Sequence, residues 1–425
     1  MQNARTILFF STALVMACAA PPETDVTVPN GSHTQTPADK LVNPHEPMQL
    51  GQTPSDATES QEKALWWVNT FRARAGLGPL DEKSSLNNAA QAHASYVLHN
   101  ADLYDNKQLS VHEEMSDRPG FTGVRFWERM EHAQYASNAF REVIAYQAHP
   151  AGAVAHWMET VYHRLPLLHP SARHMGYAQL TNGDSQINVL DMGTGNVDPL
   201  TIPDGVAWPP PNARDVSLSW DGLESPQPPA PAGGYPSGPV ITLTFPPIKL
   251  IEITHHKIVD LDQNSAALAH VLLTPNNDPN LHGESSIALY TNNPLSPGHS
   301  YQVTIEGIVD DHHFKRSWRF TTRANVGCSL LAQDCEVGKA CYGSSDDQSI
   351  CAWEGGTNEG DACSYQNDCG RGLTCIGKMC RRYCWYSPND QDGCASECAA
   401  EYSPLNVEAE IGVCKGNPER QLAFN

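Results

Sequence analysis

The sequence predicts a multi-domain chain in which an α+β domain is followed by an all-β domain and then by small disulfide-rich modules. Three observations carry this prediction. Apolar residues recur with helical spacing between about residues 58 and 161, and they alternate with polar residues between about 241 and 322. Twelve of the thirteen cysteines lie between Cys328 and Cys414. At 425 residues, the chain has room for about two to four domains.

The N-terminus predicts export. Arg5 precedes an apolar run from Ile7 to Ala17, which has the length of the apolar part of a signal peptide and is short for a membrane span. Val15-Met16-Ala17-Cys18 resembles a bacterial lipobox, in which the cysteine is acylated and becomes the mature N-terminus. We therefore predict a signal peptide with a lipobox at 1–18 and a membrane anchor at Cys18. Plain cleavage and free secretion remain the alternative.

Residues 19–55 are rich in Pro, Thr, Ser, Gln and Asn, which predicts a disordered tether. The formal net charge is −21 at pH 7. Such a surface repels the phosphates of nucleic acids and anionic lipid head groups, so we expect no nucleic-acid partner.

Helical signals begin at Thr58, which has capping-box spacing to Gln61. Two amphipathic runs follow, and their apolar faces predict a core. A third helical run includes Val154, Trp157 and Val161, and Ile187 and Val189 then alternate like a strand. Helices mixed with a few strands predict a layered α+β domain over 56–197. The core faces of the first two runs comprise Ala64, Trp67, Val68, Phe71, Ala75, Leu86, Ala89, Ala90, His93 and Val97.

The second predicted domain covers 198–323 and has a proline-rich start, with eleven prolines between residues 198 and 239. After this start, apolar residues alternate with polar ones in three runs, as expected of an antiparallel sandwich. These runs contain Ile241, Leu243 and Phe245, then Tyr301, Val303 and Ile305, then Trp318 and Phe320.

The third region, 324–425, is predicted to hold disulfide repeats. An even number of cysteines in an exported chain indicates a disulfide framework, and Cys18 is the odd one left over. No Cys-x2-Cys pair occurs, so zinc is the weaker alternative. Two four-cysteine units share similar spacing, which suggests two internal bridges each, with the pairing open. The first unit is Cys328, Cys335, Cys341 and Cys351, the second is Cys363, Cys369, Cys375 and Cys380, and the rest are Cys384, Cys394, Cys398 and Cys414.

Two stretches carry candidate chemistry. His156, Glu159 and His163 fall on one face of the third helical run, where imidazole and carboxylate groups can share a cation. A solvated or ion-paired face is the plainer interpretation. His112-Glu113-Glu114 lies in a loop-rich stretch, and Ser116 replaces the second histidine of a zinc-protease motif.

Residues of about 60–193 resemble the CAP superfamily of cysteine-rich secretory, antigen 5 and pathogenesis-related proteins. The resemblance is closest to the bacterial branch, because the domain has no cysteine of its own. It rests on an ordered series of short words: Val68-Asn69-Thr70-Phe71-Arg72, Gly76-Leu77-Gly78-Pro79-Leu80, Leu86-x-x-Ala89-Ala90-x-x-His93, His112-Glu113, Glu142-Val143-Ile144, Trp157-Met158, Tyr162-His163-Arg164 and Gly176-Tyr177.

The resemblance implies an α-β-α sandwich with a cleft lined by two histidines and two acidic residues. By position, His112 and His163 match the histidines and Glu142 the first glutamate. Thr160 stands where the second glutamate is usual, and the neighbouring Glu159 is its candidate substitute. The implied ligand is a lipid, a sterol-like molecule or a divalent cation. Zinc is the candidate cofactor, held by His112, His163 and Glu142.

The second domain resembles bacterial Ig-like modules through the stretch 294–303 and the closing Trp318-x-Phe320-Thr321-Thr322. Together, these features predict a lipid-anchored binding protein of the bacterial envelope, with a cell-envelope partner. One alternative is an extracellular metal-dependent hydrolase that acts on peptides, with Glu142 or Glu159 as general base. Another is an adhesion protein that acts through the Ig-like and cysteine-rich parts.

Overall fold

A computed structural model describes residues 51–147, 150–183, 185–195, 205–247, 250–323, 328, 330, 333, 335, 338–343, 349–385, 398–399 and 411–414. The predicted signal peptide with Cys18, nearly all of the predicted tether and Cys394 lie outside these residues. Among the described residues, no helix is both long and apolar enough to span a bilayer.

The first part of the chain combines six helices with one four-stranded sheet. The strand order is β1-β3-β4-β2, with β1 parallel to β3 and the other pairs antiparallel. The elements are α1 (Glu59–Arg74), β1 (Asp81–Glu82), α2 (Ser84–His99), α3 (Ala101–Asp105), α4 (Phe126–His132), β2 (Asn138–Ala145), α5 (Pro150–Glu159), α6 (Arg164–Leu167), β3 (His174–Asn182) and β4 (Ser185–Gly195).

Helix α1 begins where the sequence predicts. Thr58 Oγ1 accepts a hydrogen bond from the Gln61 backbone at 3.4 Å, and the Gln61 side chain accepts one from the Thr58 backbone at 2.8 Å. These two bonds satisfy amide groups that the first helical turn leaves unpaired. The predicted capping box is therefore confirmed.

The sheet is covered by helices on both faces. Because side chains alternate along a strand, Val143 and Leu190 pack with α1 and α5, whereas Ile144 and Val189 pack against α2. A Cβ atom on Gly176 of β3 would lie 2.1 Å from a backbone carbon of α2, so only glycine permits this close approach. The resulting three layers confirm the predicted α-β-α arrangement.

The next part is a sandwich of two sheets, with strand orders β10-β11-β7-β5 and β6-β13-β12-β8-β9. The predicted apolar runs are buried between the sheets, including Ile241, Val303 and Phe320. The strands are β5 (Val206–Trp208), β6 (Ala213–Val216), β7 (Ile241–Thr244), β8 (Ile251–Asp260), β9 (Ala266–Ala267), β10 (His270–Leu273), β11 (Ser286–Thr291), β12 (Ser300–Val309) and β13 (His312–Thr322).

The cysteine-rich part contains two modules with the same disulfide pattern. In each module the first cysteine pairs with the third and the second with the fourth: Cys328–Cys341, Cys335–Cys351, Cys363–Cys375 and Cys369–Cys380. Their sulfurs are consumed by covalent bonds, so the zinc alternative fails for these eight. Cys384 and Cys414 are disulfide-bonded as well. The strands are β14 (Lys339–Gly343), β15 (Ser349–Trp353), β16 (Leu373–Ile376), β17 (Met379–Trp385), β18 (Cys398–Ala399) and β19 (Ile411–Cys414).

The α+β part and the sandwich are joined through the turn after α5. The Glu224 carboxylate accepts hydrogen bonds from the backbone N–H groups of Val161 at 2.8 Å, Tyr162 at 2.7 Å and His163 at 3.0 Å. Arg164 Nη1 donates to the Val240 carbonyl at 2.7 Å. One cluster of buried apolar residues also contains members from both parts, so the junction between the α+β part and the sandwich has its own hydrophobic core. Its buried members are Val161, Leu165, Trp220, Val240, Leu273, Leu281, Ala288 and Tyr290.

This junction yields a stability prediction. Glu224→Ala leaves three buried N–H groups without their acceptor, so we expect the free energy of unfolding to fall by about 3 kcal/mol. Urea denaturation measures this loss. The matched control is Glu284→Ala, which breaks the more exposed ion pair with Arg141 and should cost less than about 1 kcal/mol. Equal losses in the two variants would contradict the prediction.

Candidate functional site

His112 and Glu142 meet as the sequence predicts. Glu142 lies on β2, and its Oε1 accepts a hydrogen bond from His112 Nδ1 at 2.9 Å. The Glu142 side chain is 1% exposed, whereas that of His112 is 36% exposed. A carboxylate can only accept, so Nδ1 carries the hydrogen and the Nε2 atom of neutral His112 carries a lone pair. The pair therefore presents one oriented imidazole to solvent.

Arg129 holds the other oxygen of Glu142. Helix α4 places this side chain fully inside the protein, where Nη2 donates to Glu142 Oε2 at 2.6 Å. Its Nη1 donates to the carbonyl oxygens of His112 and Val124, both at 3.2 Å. One guanidinium thus ties β2 to the loop that carries His112.

A second histidine lies behind this pair. His93 projects from α2 and is fully buried. Its Nδ1 lies 2.9 Å from Glu114 Oε1, and its Nε2 lies 2.8 Å from the Val111 carbonyl oxygen and 4.0 Å from Glu142 Oε1. Two acceptors require two hydrogens, so both bonds form together only when the imidazole is cationic. Glu114 also accepts from the Thr122 backbone at 2.7 Å.

Asp191 completes the cluster from the neighbouring strand. It is fully buried and lies directly opposite Glu142 in the β2–β4 register. Burial, together with the adjacent Glu142 carboxylate, raises the pKa of Asp191 well above its ordinary value. The raised pKa favours the protonated acid, and neither oxygen of Asp191 has a hydrogen-bond partner among the described residues.

Glu142 remains ionised in this environment. Burial by itself raises the pKa of Glu142, but the charges of His93 and Arg129 and the hydrogen bond from His112 together lower it below its usual range. The two Glu142 oxygens lie 2.6 Å from the Arg129 guanidinium and 4.0 Å from the His93 imidazole. A buried ionic cluster is tolerated only when it is paired in this way.

The structure does not bring His163 to this cluster. His163 Nδ1 instead pairs with Glu224 Oε1 at 2.7 Å, at the junction with the sandwich. Glu159 forms an ion pair with Lys339 of the first cysteine module. Thr160, which stands at the usual place of the second glutamate, is buried and donates to the Trp157 carbonyl at 2.8 Å.

The predicted zinc ligands therefore do not fit a metal ion. Within the described residues, no three histidine, aspartate or glutamate ligand atoms lie within 4.8 Å of one another. Both Glu142 oxygens are already bound, one of them by a guanidinium whose charge repels a cation. Thr160 stands where the second glutamate is usual. His163 instead pairs with Glu224 of the second domain.

Sequence reasoning missed His93, Arg129 and Asp191 as members of the site, whereas Glu114 lies in the stretch His112-Glu113-Glu114 that it singled out. His93 was predicted only as part of a core face, which is where it lies. Asp191 has a usable signal, because it continues the alternation of Ile187 and Val189 onto the face that carries Glu142. Arg129 gives no comparable signal.

A separate cavity of about 390 Å³ lies between α1 and the second cysteine module, lined in part by Lys63, Trp67, Glu354 and Arg371. No residue of the His112 cluster lines it, so the two features are distinct.

Comparison with known proteins relates the first part to one family. The model of the cysteine-rich secretory protein family, CAP, matches residues 67–190. An outer surface protein from Borrelia burgdorferi is 18% identical, with a TM-score of 0.26 over 33% of this chain and 96% of that chain. Venom allergen-like protein 4 from Schistosoma mansoni is 13% identical, with a TM-score of 0.23 over 33% of this chain and 92% of that chain. A search of curated proteins finds no match.

The raised pKa of Asp191 predicts a pH dependence of stability. Protonated Asp191 stabilises the folded state. This stabilisation is complete below the ordinary pKa of 3.8 and is lost as the pH rises towards the raised pKa that Asp191 has in the folded protein. Asp191→Asn is neutral at every pH. Between about pH 5 and about pH 8, we therefore expect the wild type to lose more free energy of unfolding than the variant.

Urea denaturation at both pH values measures the difference. The exposed Asp105 on α3 supplies the control, and Asp105→Asn should follow the wild type. Parallel pH dependence of the wild type and Asp191→Asn would show that Asp191 is ionised in the folded protein.

Proposed function

We propose that the chain binds a small amphipathic ligand, a lipid or sterol-like molecule, at His112, and the match of residues 67–190 to the CAP family model supports this proposal. The observation that carries the proposal is the exposure pattern of the cluster. His112 is 36% exposed, whereas the side chains of His93, Glu114, Arg129 and Glu142 are at most 1% exposed. The buried members position His112, and His112 is the group that a ligand can reach.

The position of the ring hydrogen of His112 indicates which chemical group the polar end of the ligand carries. Since Nδ1 donates to Glu142, the lone pair on Nε2 of the neutral ring is the group that remains for a ligand. That lone pair accepts a hydrogen bond from a hydroxyl or a protonated acid. Both groups occur on sterols and fatty acids.

The apolar end is inferred from the adjacent surface. The side chains of Val124 and Trp127 are 39% and 49% exposed, so they offer apolar surface to a ligand. The Val124 carbonyl shares the Arg129 guanidinium with the His112 carbonyl, so the Val124 and His112 segments are neighbours. A polar acceptor beside exposed apolar side chains suits an amphipathic molecule.

The other ligand and reaction classes have less support. A divalent cation would have to displace Arg129 or His112 from Glu142. A hydrolase needs a general base with a pKa near the working pH, and Glu142 has a lowered pKa and a bound guanidinium. Glu159, the other candidate base, is paired with Lys339. Adhesion through the sandwich and the cysteine modules is a separate activity that deletion of 198–425 would test.

The disulfides indicate an oxidising compartment, as expected of an extracellular protein. We propose in addition that Cys18 is acylated and anchors the chain to the bacterial envelope, with residues 19–55 as the tether. The lipobox-like word before Cys18 supports this proposal.

Ligand binding can be tested at His112. In titrations with a fluorescent sterol or fatty-acid analogue, we expect His112→Ala to weaken binding at least tenfold, because the acceptor for the polar end is lost. The control is His132→Ala, which removes an exposed imidazole from the last turn of α4 and should leave affinity unchanged. Unchanged affinity in His112→Ala would refute the proposed site.

Anchoring can be tested by fractionation of expressing bacteria. We expect the wild type in the membrane fraction and Cys18→Ser outside it, because the serine variant cannot carry the acyl chains. Ser11→Ala, which alters the apolar run but keeps Cys18, should fractionate like the wild type. A soluble wild type, or a membrane-bound Cys18→Ser, would contradict acylation.

A further inference from the structure

Two histidines meet on the surface of the sandwich, far along the chain from the CAP domain. His256 lies on β8 and His270 on β10, which belong to different sheets. His256 Nδ1 and His270 Nε2 are 2.8 Å apart, and the rings are nearly perpendicular at 82°. The chain crosses from one sheet to the other between these strands, through β9, so the pair lies at the crossover.

The hydrogen bonds identify the tautomers. His270 Nδ1 lies 2.8 Å from the Leu268 carbonyl oxygen, which can only accept, so this nitrogen carries the hydrogen. Neutral His270 therefore has a lone pair on Nε2, and His256 Nδ1 donates to it. Histidines that bind metals commonly donate their other ring N–H to a backbone carbonyl, which fixes the ring and its tautomer. The hydrogen bond from His270 Nδ1 to the Leu268 carbonyl oxygen is of this kind.

The contact brings two imidazole nitrogens within 2.8 Å of one another, so a small turn of the exposed His256 ring lets both face one ion. Imidazole ligands suit Zn²⁺, Cu²⁺ and Ni²⁺, and the affinity of nitrogen and oxygen sites for divalent first-row metals is highest for Cu²⁺. We therefore expect His256 and His270 to prefer Cu²⁺.

The surroundings also suit a cation. His270 donates at Nδ1 and accepts at Nε2, which makes its ring neutral. A neutral imidazole is the form that coordinates metals. The net charge of −21 attracts cations to the surface. His256 is exposed, so its ring can turn from donating to His270 to sharing an ion with it.

We propose that His256 and His270 form a surface site for a divalent transition metal, with Cu²⁺ preferred over Ni²⁺ and Zn²⁺. When the ion binds, the His256 hydrogen moves from Nδ1 to Nε2 by exchange with solvent, so the ring stays neutral and its Nδ1 lone pair becomes available to the metal. Water completes the coordination. This site is separate from the His112 cluster and does not depend on the proposed function of the CAP domain.

Copper titration of the full chain, followed by calorimetry and electron paramagnetic resonance, tests the proposal. We expect an axial Cu²⁺ signal with splitting from two nitrogens. His256→Ala and His270→Ala should each weaken binding at least tenfold and remove the two-nitrogen splitting. Circular dichroism of the same samples separates loss of a ligand from loss of the fold, and His256→Gln, which keeps a polar side chain at this exposed position, should show the same defect.

Two controls locate the copper. His255→Ala changes the neighbouring residue, which points to the opposite face of β8, and should retain the signal. His112→Ala should retain it as well, because the CAP cluster is not the site. The proposal is overturned if copper affinity is unchanged in His256→Ala and His270→Ala, or if His112→Ala is the variant that abolishes the signal.

Discussion

The Glu142 carboxylate joins every element that builds the candidate site. One oxygen accepts from His112 on a loop, and the other accepts from Arg129 on α4. Asp191 lies opposite it on β4, and His93 approaches from α2. A carboxylate so deeply buried is stable only when its neighbours supply positive charge or hydrogen-bond donors. The positions of the loop, the two helices and the strand pair are therefore linked through one side chain.

This linkage explains why the site presents a single accessible imidazole and offers no metal centre. The Arg129 guanidinium is ion-paired with Glu142 inside the protein. The negative charge that would attract a cation is thus compensated inside the protein, and what reaches the surface is His112 with a fixed hydrogen.

His163 shows how the rest of the chain modifies the domain. Glu224 contacts this histidine and three backbone N–H groups of the preceding turn, and its side chain is fully buried. The sandwich therefore supplies the carboxylate that meets His163. The proline-rich stretch 198–239, whose sequence is equally typical of a linker, includes Glu224 and forms part of the junction.

Local signals in the sequence predicted the fold well. The capping box at Thr58, the alternation around Ile241 and the burial of Trp318 and Phe320 follow from spacing that each element carries within itself. The site was predicted only in part. His112 and Glu142 came from a motif resemblance, whereas the pairing of His163 with Glu224 depends on contacts between residues 61 positions apart. Periodicity and composition contain no information about such contacts, and this is also why the disulfide pairing stayed open.

The central claim is that Glu142 fixes the hydrogen of His112 on Nδ1 and leaves Nε2 as the acceptor. Nitrogen-15 NMR of the imidazole rings, recorded at alkaline pH where the exposed ring is neutral and assigned with the His112→Ala variant, tests this most directly. The structure predicts that the His112 resonances show a protonated Nδ1 and an unprotonated Nε2. Resonances of the opposite tautomer, with hydrogen on Nε2, would contradict it.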